Sequence, residues 1–219
     1  MTDIVLGIAP FVRGLNRLGQ TGAFVRCAEG APGADAGVGI LPPLEVPVGS
    51  APDDVFAAAY RKYCADQGRH PAVIKFGADV FVCAGRSYDE AVEIEKRYLE
   101  TGGTPTELGQ AGIGVANAAE GNAIENRSAI VRDRIAVVTG GAQGFGESIV
   151  RELVAAGAFV WIADINVQGA SALCDELNGI AGKTVSRPVA VNVMDEDSVH
   201  AMVDSIVAEC GGIDLFISN

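Results

Sequence analysis

The eight residues Thr139-Gly140-Gly141-Ala142-Gln143-Gly144-Phe145-Gly146 restrict the fold of this chain more than any other stretch. They stand between the apolar run Ile135-Ala136-Val137-Val138 and a segment in which Ile149, Val150, Leu153 and Val154 recur at helical spacing. A continuous apolar run fits a parallel strand buried on both faces. The glycines after it demand a sharp strand-to-helix turn. Gly157 closes the helix before a second apolar run, Phe159-Val160-Trp161-Ile162, which ends at Asp164.

The alternation continues. Ala170, Leu173, Cys174 and Leu177 predict a helix face, and Arg187 to Val193 a strand. Val199, Met202, Val203, Ile206 and Val207 predict another helix, with Asp195-Glu196-Asp197 in its first turn and Gly211-Gly212 as its stop. The run from Ile213 to Ile217 is a further strand. This pattern predicts an α/β fold over residues 134–219, part of a doubly wound (Rossmann) parallel sheet with strand order 3-2-1-4. A ligand crevice would lie at the carboxyl ends of strands 1 and 4.

In such a loop Gly140 permits the tight turn, Gly144 lets the backbone approach a pyrophosphate, and Gly146 allows close helix-to-strand packing. The helix N-terminus then faces the phosphates. Asp164 lies 18 residues beyond Gly146, near the ~20 expected of an acid that binds a ribose hydroxyl. A 2'-phosphate would be repelled by that carboxylate and would need a nearby Arg or Lys. The loop offers Gln143, and Ile165-Asn166 follow Asp164, so NAD is expected over NADP. Glycine-rich turns also arise for purely structural reasons; the order strand, glycine turn, helix, strand, acid decides for the dinucleotide.

The rest of the chain speaks less clearly. Residues 1–103 read as a small α+β segment. Val55, Phe56, Ala59, Tyr60 and Tyr63 predict a helix after Asp53-Asp54, which suit the positive end of its dipole. Ala72-Val73-Ile74-Lys75 and Val80-Phe81-Val82-Cys83 predict a hairpin or adjacent strands. A capping box, Ser87-Tyr88-Asp89-Glu90, opens a second helix with Ala91, Ile94 and Tyr98 on its core face, closed by Gly102-Gly103. Residues 104–133, rich in small side chains with a possible helix from Ala111 to Ala119, read as a linker.

Composition excludes several classes. A net charge of −12, with only 16 Lys and Arg, argues against a nucleic-acid partner. No apolar run approaches the ~20 residues that cross a bilayer, and the start lacks a signal-peptide pattern, so a cytoplasmic protein is expected. Cys27, Cys64, Cys83, Cys174 and Cys210 form no Cys-x-x-Cys pair and read as buried thiols.

Residues 134–219 resemble the short-chain dehydrogenase/reductase family, whose glycine motif is spaced as Thr139, Gly140, Gly144 and Gly146 are here. Asp164 matches the family's NAD-selecting acid, and Gly212-Ile213-Asp214 leads into the fourth strand as usual. Asn192-Val193 matches an Asp-Val pair beside the adenine, with Asn in place of the commoner Asp. Ser218-Asn219 is a variant start of the Asn-Asn-Ala-Gly motif. The resemblance implies cofactor contacts from Thr139, Gly140, Gln143, Gly144, Phe145, Gly146, Asp164, Ile165, Asn192, Val193 and Asn219.

The family's serine, tyrosine and lysine lie beyond the motif at which this sequence stops, and no tyrosine here has a lysine four residues on. The expectation is therefore a truncated cofactor-binding half, with no catalytic residues and no metal, of an enzyme oxidising an alcohol or sugar-derived hydroxyl of a small-molecule substrate. Its fourth strand would be an exposed edge, favouring homo-oligomers or aggregation.

Pro71 to Lys75 and Val80 to Gly85 resemble the tail of a class II aldolase-like domain, as in bifunctional aldolase/dehydrogenase proteins. His70 and His200 are the only histidines, so the zinc site of such aldolases is not expected; His70 reads as a surface turn. Two other readings stand beside the dehydrogenase one: a non-enzymatic nucleotide-binding or assembly module, and a sugar-phosphate aldolase-related remnant.

Overall fold

The computed structural model describes residues 9–10, 12–13, 24–30, 40–41, 43–46, 54–76, 80–105 and 130–219. The possible helix at Ala111 to Ala119 and most of the linker lie outside them. The chain divides into two compact units, Met1–Ala119 with Ala208–Gly211, and Glu120–Val207 with Gly212–Asn219.

In the first unit, β1 (Phe24–Glu29), β2 (Ile40–Leu41) and β3 (Leu44–Val46) precede α1 (Asp54–Gln67). They are followed by β4 (Val73–Phe76), β5 (Val80–Gly85), α2 (Tyr88–Thr101) and β6 (Thr104–Pro105). The main sheet has the order β1-β5-β4-β3, and β2 pairs with β6. β4 and β5 are antiparallel neighbours with Val73 opposite Cys83. Alternation along them gives each sheet face its own set of side chains. Val73, Phe81 and Cys83 meet Ile94 and Tyr98 of α2 in one apolar cluster, with the Phe81 and Tyr98 ring centroids 4.7 Å apart. On α1, Phe56 lies 6.1 Å from the Phe76 ring.

The start of α2 is built locally. The Ser87 side chain accepts from the Glu90 N–H at 3.2 Å. The Glu90 carboxylate reaches past Ser87 to accept from the Arg86 N–H at 2.6 Å, one residue earlier than in the usual reciprocal box. The Arg86 guanidinium, ion-paired with the same carboxylate, draws it there. Gly102 ends the helix at φ 73° with its N–H on the Tyr98 carbonyl. Ser87→Ala is expected to destabilise the first unit by about 1 kcal/mol, and urea unfolding followed by circular dichroism checks it.

The remaining elements, all in the second unit except for the last three residues of α5, are β7 (Ile135–Thr139), α3 (Gly144–Ala155), β8 (Phe159–Asp164), α4 (Val167–Ala181), β9 (Ser186–Ala190), α5 (Glu196–Cys210) and β10 (Leu215–Ile217). The second unit's sheet runs β10-β7-β8-β9, and every pairing is parallel. β7 and β8 are buried along their whole length, as their apolar runs require. Ala136, Val138, Val160 and Ile162 share one cluster with Val150 of α3 and Ala170, Leu173, Cys174 and Leu177 of α4. By alternation, Ile135, Val137, Phe159 and Trp161 fill the opposite face.

β10 is tied to β7 at its start. The Ile135 N–H donates to the Asp214 carboxylate at 2.8 Å, and the Asp214 N–H returns to the Ile135 carbonyl at 2.8 Å.

Two strands are shorter than their sequence pattern predicts. β9 stops at Ala190 instead of Val193, because Asn192 folds back into a turn: its side chain accepts from the Met194 N–H at 3.1 Å and its carbonyl from the Asp195 N–H at 3.0 Å. β10 begins at Leu215 because Asp214 spends its backbone and side chain on Ile135.

Candidate functional site

The carboxyl ends of β7, β8 and β10 and the turn after β9 carry the residues singled out from the sequence. Thr139, buried at the end of β7, receives the Asn219 N–H on its hydroxyl at 3.2 Å and donates to the Ile217 carbonyl at 3.4 Å. The Asn219 side-chain amide donates to the Gly140 carbonyl at 3.4 Å. The first glycine is thus held from the neighbouring strand.

The glycines differ in what they permit. Gly140 and Gly144 have φ of 62° and 61°, a region that side chains other than Gly rarely adopt. A Cβ on Gly144 would meet nothing within 4 Å, so this backbone faces open space. A Cβ on Gly146 would run into the Gly140 carbonyl and approach the Asn219 amide to 2.8 Å. Gly146 therefore packs against the loop's own start.

Gly141 belongs to the same set: a Cβ there would crowd the Val138 carbonyl at 3.0 Å and Ile162 at 3.1 Å.

Gln143 occupies the cap position of α3 in extended conformation, without a side-chain bond to the helix. The first-turn amides therefore keep no side-chain cap. Glu147, which would oppose an anion there, is turned to Arg151 at 2.8 Å. Arg151 also grips Glu176 of α4 through both guanidinium nitrogens, at 2.7 and 2.8 Å.

Asp164 ends β8, 8% exposed. One carboxylate oxygen accepts from the Ala142 N–H at 3.0 Å and the other from the Asn166 N–H at 2.8 Å. The acid joins the glycine loop to the β8–α4 turn. Phe145, Ile165 and Val193 are 77%, 76% and 62% exposed, apolar side chains presented to solvent from α3, the β8–α4 turn and the turn after β9. The Asn192 N–H is held by the Ser198 hydroxyl at 2.9 Å.

Sequence reasoning missed the parts played by Ala142, Asn166 and Ser198. Asn166 carried a readable signal, an Asn immediately before a helical stretch. Ala142 acts on Asp164 across the fold and carried none; Ser198 reaches back six residues to Asn192 through a hydroxyl that apolar patterning does not mark.

A family model described as short chain dehydrogenase matches residues 134–219. Residues 134–219 belong to the short-chain dehydrogenases. This dehydrogenase segment is 34% identical over 86 residues to the oxidoreductase YuxG of Bacillus subtilis, covering 39% of this chain and 12% of that protein. It is 41% identical to 4-formylbenzenesulfonate dehydrogenase TsaC1/TsaC2 of Comamonas testosteroni and 37% identical to D-threitol dehydrogenase of Mycolicibacterium smegmatis. Each match covers 39% of this chain, and 33% and 32% of those proteins respectively. The chain thus spans a third or less of these relatives.

Other chemistry-bearing residues are dispersed. Among the described residues no three His, Cys, Asp or Glu are grouped to hold a metal ion, and no helix is long and apolar enough to cross a membrane. His70 is half-buried, not the surface turn its neighbours suggest. Its Nδ1 lies 2.8 Å from the Tyr60 hydroxyl, and burial lowers its pKa below the ordinary histidine value. The five cysteines are all thiols, four of them buried. Burial pushes Cys27 up to about 12 and Cys174 up to about 11.

Proposed function

We propose that the dehydrogenase segment binds a nicotinamide dinucleotide, NAD in preference to NADP, as the cofactor-binding part of an oxidoreductase acting on an alcohol or sugar-derived hydroxyl. The observation that carries this reading is the Asp164 carboxylate, held by two backbone N–H groups beside a glycine loop whose Gly144 faces open space.

Each carboxylate oxygen has a further lone pair after accepting one N–H, so Asp164 retains the capacity to accept from a ribose diol. The uncapped first turn of α3 suits a pyrophosphate, since helix N-termini present N–H groups and a favourable dipole. Ile165 and Val193 offer apolar surface for an adenine, and Thr139, Gly140, Gln143, Phe145, Gly146, Asn192 and Asn219 complete the proposed cofactor contacts. When bound, the cofactor supplies hydride acceptance; this chain's residues bind and orient it.

A 2'-phosphate beside Asp164 would set like charges within a few ångströms in a partly desolvated site, which is unfavourable. NAD at about 100 times its dissociation constant is expected to stabilise the fold by about 2.7 kcal/mol, and NADP at the same concentration by less. Thermal unfolding with each nucleotide checks this; equal shifts would remove the argument for NAD.

A further inference from the structure

We propose that Asn166 and Gly169 are a positioning pair that aims the Asp164 carboxylate, and through it sets the preference between a free 2'-hydroxyl and a 2'-phosphate on the dinucleotide. The inference rests on the nucleotide-binding reading above.

Asp164 is fixed from two sides. Its Oδ2 is held by Ala142 of the glycine loop, and its Oδ1 by the Asn166 N–H. The second bond exists only while the turn Asp164-Ile165-Asn166 keeps its shape. Ile165 adds little restraint, being 76% exposed.

Asn166 supplies the restraint. It sits at φ −85°, ψ 74° as the N-cap of α4, and its side-chain oxygen accepts from the Gly169 N–H at 3.0 Å. Its carbonyl accepts from the Ala170 N–H at 3.0 Å. One side chain therefore anchors the turn to α4 while the backbone of the same residue holds the acid.

Gly169 is the counterpart. A Cβ there would come within 2.6 Å of the Asn166 side-chain nitrogen and 3.1 Å of its Cγ. Real Cβ atoms do not approach so closely, so any larger residue must displace the Asn166 amide from its present capping position. Gly169 lies inside a helix, where glycine is otherwise unfavourable; space for the cap explains its presence.

When the cap is lost, the carboxylate pivots on its remaining bond to Ala142. NAD then loses part of its diol contact, while NADP loses part of its repulsion. The two affinities converge. A role confined to helix stability would weaken both nucleotides equally and leave their ratio unchanged.

The test uses the whole 219-residue chain, with dissociation constants for NAD and NADP measured calorimetrically. Gly169→Ala and Asn166→Ala are expected to lower the NADP-to-NAD ratio of dissociation constants about fivefold, the equivalent of one lost cap. Asn166→Ser, which keeps a capping oxygen, is expected to retain the wild-type ratio. In an Asp164→Ala background, Gly169→Ala is expected to change the ratio no further.

An unchanged ratio in both single variants overturns the proposal, as does a Gly169→Ala effect that persists without Asp164. If Gly169→Ala does not fold, the Asn166→Ala and Asn166→Ser pair decides alone. Failure of the wild-type chain to bind either nucleotide would instead overturn the parent reading, and this inference with it.

Discussion

Gly146→Val is expected to lower the stability of the dehydrogenase segment by about 2–3 kcal/mol and to abolish dinucleotide binding. The cause is steric. The new Cβ would overlap the Gly140 carbonyl, and that carbonyl has little room to retreat, since Gly140 sits at φ 62° and accepts from the Asn219 amide.

Gly144→Val provides the contrast. A side chain there enters open space, so the folded state pays only backbone strain, about 1–2 kcal/mol, yet the side chain occupies the path by which a phosphate would approach. Both variants should lose NAD, but Gly146→Val should show the lower unfolding midpoint in urea. Equal midpoints would mean that the helix does not pack on the loop as closely as described.

Asp164→Asn is the second large effect, despite near-identical shape. The carboxylate accepts from Ala142 on one side and Asn166 on the other. An amide can accept on one side only, and its NH2 must face an N–H on the other. Bonds to charged groups contribute roughly 1.5–3 kcal/mol each, and the site is largely buried.

The variant should therefore lose about 2 kcal/mol of stability and bind NAD roughly ten- to a hundredfold more weakly, the same range of energy converted to affinity. NADP binding should weaken less. Calorimetric titration of wild type and variant with both nucleotides checks the pair of effects; an undiminished NAD affinity would mean that the acid does not touch the ribose.

The features legible from sequence are those set by neighbours along the chain. β7, α3 and β8 could be read because apolar runs, helical spacing and glycines are local signals, and Gly140, Gly146 and Asp164 lie where that reading places them. The turn at Asn192 was not legible. Val191 and Val193 continue an apolar pattern, and the strand ends where Asn192 turns its side chain onto Met194 and its carbonyl onto Asp195.

The bond from Ala142 to Asp164 joins residues 22 apart in sequence, and the grip of Ser198 on Asn192, only six residues long, is made by a polar hydroxyl. Neither leaves a mark on composition or periodicity. In the first unit, the runs behind the aldolase-like resemblance form antiparallel neighbours, β4 and β5, a pairing common to many folds. Gly85 reads as a break between strand and helix. Its tighter constraint, a Cβ position 2.6 Å from the Ala91 backbone nitrogen, is a matter of packing.

Isothermal titration of the 219-residue chain with NAD, repeated with NADP, decides whether the glycine loop and Asp164 hold a dinucleotide. Saturable NAD binding at one site, tighter than that of NADP, is predicted. Absence of saturable NAD binding, or tighter binding of NADP, would contradict it.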